Sequence, residues 1–102
     1  SSAASDVYKR QVKADPAAGQ LLVSLRIDSE AVVRSNCIWA LGRLMDQLVH
    51  PRQAEVVEAL VSALLHDGEI SVRDEARTAL EQLEDPLVLE RLQALINDGF
   101  IL

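Results

Sequence analysis

Two carboxylate–guanidinium pairs are the first candidates for chemistry in this chain. Asp28 precedes Arg34, and 39 residues further on Asp67 precedes Arg73 at the same spacing. An Asp held beside an Arg is a set that can serve proton transfer or charge stabilisation. The repetition argues otherwise: a catalytic group is needed once, whereas a helix cap is needed in every unit. The single cysteine, Cys37, falls on an inward apolar stripe, where a thiol lacks both a base and solvent and behaves as a small hydrophobe. His50 and His66 sit at helix ends, where a cation complements the helix dipole. They are too far apart and too poorly accompanied for a metal site. No zinc-protease, C-x-x-C, dinucleotide, P-loop or nucleophile-elbow motif is present, and only four glycines are available for phosphate-cradling loops. Catalytic residues, metal ligands and a cofactor are therefore not expected.

The elements that carry these residues repeat as well. Between Leu21 and Leu44 and the segment 39 residues later, 9 of 24 positions are identical: Leu21, Leu25, Asp28, Glu30, Val33, Arg34, Ala40, Leu41 and Leu44 return as Leu60, Leu64, Asp67, Glu69, Val72, Arg73, Ala79, Leu80 and Leu83. A period near 40 is the signature of stacked helix pairs, none of which buries its apolar face alone. Asp15-Pro16 reads as a helix start, with the helix running to about Ile27 and Leu21, Leu22 and Leu25 inward. A second helix is predicted from about Glu30 to Val49. Its stripe of Val33, Cys37, Ala40, Leu41, Leu44 and Leu48 follows a 3.6-residue period. Pro51 opens a third helix to about His66, with Val57, Leu60, Val61 and Leu64 inward. A fourth runs from Glu69 to Leu83. Asp85-Pro86 caps a fifth, Pro86 to about Asn97, with Leu89, Leu92 and Ile96 inward. Gly99 is a stop, and Phe100, Ile101 and Leu102 form an apolar tail expected to fold back. The expected class is all-α, in units of about 15–49, 51–84 and a partial 85–102.

Bulk properties narrow the function. The chain has 102 residues, 49% of them hydrophobic but only three aromatic, so it forms one domain at most, with an aliphatic core. Its net charge of −6 disfavours nucleic acid, because phosphate binding needs clustered Lys and Arg. No apolar run reaches the roughly 18 residues of a membrane span, and no signal peptide opens the chain. The lone cysteine is compatible with a reducing compartment, and a cytoplasmic location is expected.

The first eleven residues read differently. Asp6-Val7-Tyr8-Lys9-Arg10-Gln11 back-translates to GAT GTG TAT AAG AGA CAG, which resembles the transposon end of sequencing-library adapters. The expectation is that 1–11 is a non-native leader from an assembled contig, and that the native protein extends upstream of Val12. The alternative is a natural helix with Val7, Tyr8 and Val12 facing in.

The pattern Asp28…Val33-Arg34…Cys37…Trp39-Ala40-Leu41-Gly42-Arg43-Leu44, with its partial return Asp67…Val72-Arg73…Ala76…Ala79-Leu80…Leu83, resembles the HEAT repeats, specifically the bacterial phycobilin-lyase type. The resemblance spans about Asp15 to Asn97 and implies a right-handed α-solenoid of the armadillo type, incomplete at its N-terminus. It implies that Asp28 and Asp67 cap helices and that Arg34 and Arg73 form a ladder between stacked units. Arg34, Ile38 and Met45, and on the matching flank Arg73 and Arg77, would be contacts between units. It also implies that the second helices line the concave face. Trp39 lies about 150° from the centre of its helix's apolar stripe, at 100° per residue. Ser35, Gly42 and Asp46 share its side, matched later by Asp74, Thr78, Glu81 and Asp85. A lone aromatic among carboxylates suits a basic or amphipathic protein segment, with the ring as anchor. The partner-binding set is therefore Trp39, Ser35, Asp46, Asp74, Thr78 and Glu81. Packing of Trp39 on a neighbouring or upstream helix is equally open.

These readings make the chain a non-catalytic protein-interaction scaffold, the C-terminal piece of a longer array. The Trp39-Ala40-Leu41-Gly42 segment keeps open a second possibility, a pocket wall in a bilin lyase or isomerase. A nucleic-acid scaffold is a third, disfavoured by charge. Exposed array ends predict self-association.

Overall fold

A computed structural model describes residues 2–100. Five α-helices account for it: α1 (Ser2–Ile27), α2 (Ala31–Leu44), α3 (His50–His66), α4 (Ile70–Gln82) and α5 (Pro86–Asn97), with a 3-10 turn at Met45–Gln47. No strand occurs among the described residues. The fold is all-α and solenoid-like. α1 pairs with α2 and α3 with α4, and α2 then packs along α4, joining the pairs. α1 and α3 meet more sparsely, and α5 begins a third unit against α4.

The core follows the repeated stripe. Ile38, Leu41, Val56, Leu60, Val72 and Leu80 are fully buried, with Cys37, Ala76 and Leu64 around them. Burying one such side chain contributes about 1.5–3 kcal/mol, and these residues form one aliphatic core shared by the two pairs.

Each element boundary has a local cause, and several differ from the expectations above. α1 does not start at Pro16; it passes through it. Only the Pro16 N–H is missing from the ladder, and the flanking Ala14 and Ala18 are buried in the core, which holds the helix across the defect. Asp15 is therefore not a cap. α2 ends at Leu44, not Val49, because the chain tightens into the 3-10 turn and Leu48 adopts an extended backbone with its N–H on the Met45 carbonyl at 3.2 Å. Leu48 is still buried, as the stripe predicted.

Asp28 and Asp67 do not occupy the capping positions, which fall to Glu30 and Glu69. Instead each Asp carboxylate accepts the N–H two residues on, at 2.8 Å and 3.0 Å, closing an Asx turn that enters the helix. Asp85 does cap α5, accepting the Leu87 N–H at 2.9 Å with Pro86 in the first turn.

On α5 the buried positions are Val88 and Leu92, with Leu95 packed beside them, rather than Leu89, Leu92 and Ile96. Residues 87–89 are all apolar, so periodicity fits either stripe, and packing against α4 selects one. Gly99, at φ +82°, stops the helix as expected. Its N–H reaches the Ile96 carbonyl and that of Phe100 reaches Leu95, both at 3.0 Å, the Schellman pattern. Phe100 does not fold back. Its backbone is committed to that turn and its ring is exposed. Ile101 and Leu102 lie outside the described residues.

Candidate recognition face

The Arg–Asp pairs build a ladder. Arg34 donates from Nε and Nη2 to the two Asp67 carboxylate oxygens at 2.9 and 3.1 Å, and from Nη1 to the Asp28 carbonyl at 2.9 Å. One guanidinium thus ties its own interhelix turn to the next unit's turn, in the bidentate geometry that suits Arg. Arg73 repeats the inner half of this, donating to the Asp67 carbonyl at 2.6 Å. Burial pushes the Asp67 carboxyl upward, but the Arg34 hydrogen bonds and the Glu69 N–H outweigh it, leaving the pKa below the usual carboxylate value. The Arg34 guanidinium is raised in turn by its bond to Asp67. The pair serves as a structural rung between α2 and the turn that precedes α4.

A second ladder runs along the first helices. Arg52 on α3 donates to both Asp15 oxygens at 2.9 and 3.2 Å and to Glu55 at 2.6 Å. Its counterpart 39 residues on, Arg91 of α5, is bonded to Glu58 of α3. The Arg52 bond lowers the Asp15 carboxyl pKa. Sequence reading missed this ladder. Its signal is the 39-residue spacing of Arg52 and Arg91, which lies outside the stretch of closest self-similarity.

Among the flank residues, Ile38 is fully buried, while Arg77 pairs with Glu81 of its own helix at 2.9 Å. Cys37 is buried, and its thiol is pushed up by burial and then by the charge of Asp28, which makes it a poor nucleophile. His66 ends α3, but His50 begins it, where a cation opposes the dipole. The expected dipole role therefore fails for His50, because the helix starts before Pro51. No group of metal-ligating residues gathers among those described.

Trp39 is 57% exposed on α2, with the Arg43 guanidinium 5.0 Å from its ring centroid in a cation–π contact. It borders a groove of about 550 Å³ between α2 and α4, closed at one end by α5. Asp46, Glu75 and Asp85 supply carboxylates to its lining, and Val57, Ala79 and Val88 an apolar floor. Gly42 faces Ala79 across the two helices, where a Cβ would make an ordinary 3.7 Å contact with that of Ala79. Of the sequence-predicted set, the groove takes Trp39 and Asp46. Asp74, Thr78 and Glu81 lie exposed on α4 outside the lining, and Ser35 is half-buried one turn before Trp39. Asp85, from the same expected stripe, does line the groove, while on α4 Glu75 and Gln82 line it instead, one step round the helix from Asp74 and Glu81.

The family model for HEAT repeats matches residues 16–100. The chain belongs to the HEAT repeat family. HEAT repeats commonly act as protein-interaction scaffolds. Neither the comparison with curated proteins nor that with solved structures returns a match. Within the HEAT frame α1, α3 and α5 are first helices and α2 and α4 second helices; the Arg34 rung joins a second helix to the next unit's interhelix turn, and the Arg52 and Arg91 contacts join first helices. No helix among the described residues is long and apolar enough to cross a membrane.

Proposed function

We propose that this HEAT chain is a non-catalytic binding module that takes a basic, amphipathic protein segment along the face of α2 and α4, with Trp39 as anchor. The observation that carries the reading is the exposure of the only tryptophan, 57%, at the mouth of the carboxylate-lined groove. A large aromatic left in water is costly unless it serves contact, and aromatic anchors ringed by polar groups dominate protein recognition. The close packing of α2 on α4, against the sparser meeting of α1 and α3, favours a bend with the second helices inside. Asp46, Glu75 and Asp85 then form the rim, with Asp74 and Glu81 extending the negative field and Ser35 and Thr78 offering hydroxyls. Arg43 already stacks on the indole, so an incoming Lys or Arg would exchange with a contact the ring makes within the chain.

In the same reading residues 1–11 stand outside the repeat module. The register supports that boundary: α3 begins at His50, which corresponds to Gln11, so residues 2–10 of α1 have no counterpart in α3.

The test is calorimetric titration with a Trp-free Lys/Leu amphipathic peptide. Trp39→Ala is expected to weaken binding at least tenfold, a cost of about 2 kcal/mol, with helicity unchanged. Equal affinity in the two proteins contradicts the proposal. A saturable absorbance shift with a linear tetrapyrrole, and none with the peptide, favours the bilin-pocket alternative.

A further inference from the structure

We propose that the trough between α1 and α3 is a second docking surface, which takes a protein helix with an apolar face and one or two carboxylates at the end that meets Arg26 and His66. It is built from α1, α3 and the turn after α3, and is independent of the reading of the α2–α4 face.

The trough follows from how the first helices meet. α1 and α3 pack sparsely, bridged by the bonds from Arg52 to Asp15. Between them opens a cavity of about 610 Å³. Leu25 and Ala63 form its buried floor, Leu22 and Ala59 pack beside them, and Val23 stands 45% exposed on its wall. On α3 the lining runs along one face from Arg52 to His66, about 21 Å and about four turns at 1.5 Å per residue. That is the footprint of a helix laid in a groove. A single alkyl chain in so open a trough would keep one side in water, whereas a helix turns its own polar face outward.

Charge decides what that helix carries. Every carboxylate of the lining already holds an arginine: Glu55 holds Arg52, Glu58 holds Arg91 and Asp67 holds Arg34. The basic side chains Arg26 and His66 differ. Among the described residues neither is bonded to a carboxylate. They occupy the last turns of α1 and α3, and the repeat sets them level, since Arg26 corresponds to Leu65, the neighbour of His66. Each complements its own helix dipole, but that dipole amounts to only about half a unit charge. The exposed Ser62 hydroxyl lies one turn before His66. The unpaired polar groups of the trough are thus donors gathered toward one end, and the complementary helix presents acceptors there. The chain's net charge of −6 limits how acidic that helix is. At physiological ionic strength the Debye length is about 8 Å, so distant carboxylates are screened while a contact at Arg26 is not. A uniformly acidic helix would also lie along Glu55 and Glu58, and is disfavoured.

The test is fluorescence anisotropy on the full chain with a labelled helical peptide of about 16 residues, long enough to span the trough. It carries a Leu face, Gln elsewhere and two Glu in one terminal turn, and its twin has Gln in place of both Glu. The Glu peptide is expected to bind saturably, about fivefold tighter than the twin. Arg26→Glu should bring the Glu peptide to the twin's affinity or below, and Ser62→Trp, which fills the trough, should abolish binding of both. Both positions are exposed, so helicity should be unchanged. Trp39 emission, followed with unlabelled Glu peptide, should stay constant, because Trp39 lies outside the trough lining. Absence of binding, equal affinity for the two peptides, or undiminished binding to either variant overturns the proposal. So does a Trp39 shift, which would place the peptide in the α2–α4 groove, or a long-chain fatty acid that binds where the peptide does not.

Discussion

Asp67 ties two units together: its carboxylate accepts two bonds from Arg34 and one from the Glu69 N–H, and its carbonyl is taken by Arg73. Its carboxyl pKa is held below the ordinary aspartate value, so the unfolded chain binds that proton more readily. Stability from this group is therefore present above the unfolded pKa and lost as the pH falls through the native one. Asp67→Asn keeps the turn acceptor and loses the charge. The midpoint of thermal unfolding should be lower than wild type at neutral pH, and the gap should close as the pH drops below about 4. A gap that persists in acid would show that the rung does not act through its charge. The rung was legible in the sequence because Asp28, Arg34, Asp67 and Arg73 repeat in register. The ladder of Arg52 and Arg91 was not, because its acceptors, Asp15 and Glu58, do not occupy equivalent positions.

Helices α3, α4 and α5 were readable from the apolar period and their Pro and Gly signals. Where the reading failed, tertiary packing overrode a local signal. Pro16 has the sequence look of a first-turn proline, yet buried Ala14 and Ala18 carry α1 through it. Pro16→Ala restores an N–H to the ladder and removes the ring's clash with the preceding turn. It should stabilise the chain by up to about 3 kcal/mol in urea unfolding, monitored by circular dichroism. A loss of stability would place the helix boundary at Pro16 after all. Gly42 tests α2 in a similar way. Its Cβ would make an ordinary 3.7 Å contact with Ala79, so Gly42→Ala should gain about 1 kcal/mol from helix propensity. A loss there would mean that α2 and α4 pack closer than that distance. On α5 the choice between the Leu89 and Val88 stripes was illegible, since apolar residues surround the helix start. The groove lining was likewise missed by one step around α4, because helix phase alone does not give the rotation that packing on α2 imposes.

As a whole, the molecule carries a net charge of −6 on a stack whose first pair shows half-buried apolar residues to solvent. Charge opposes association and the apolar seam favours it, so salt decides between them. Sedimentation velocity should show a monomer at low ionic strength and a growing share of dimer as salt and protein concentration rise. A clean monomer throughout would mean that the seam is too small to act. Recognition, however, is where the account commits itself, and the chain holds its own probe, because Trp39 is the sole tryptophan. Trp39 emission should be followed during titration with a Lys/Leu amphipathic peptide that lacks Trp and Tyr. The account predicts a saturable shift in emission, weakened by salt and by Asp46→Asn with Glu75→Gln. Emission that stays unchanged over the whole titration would contradict it.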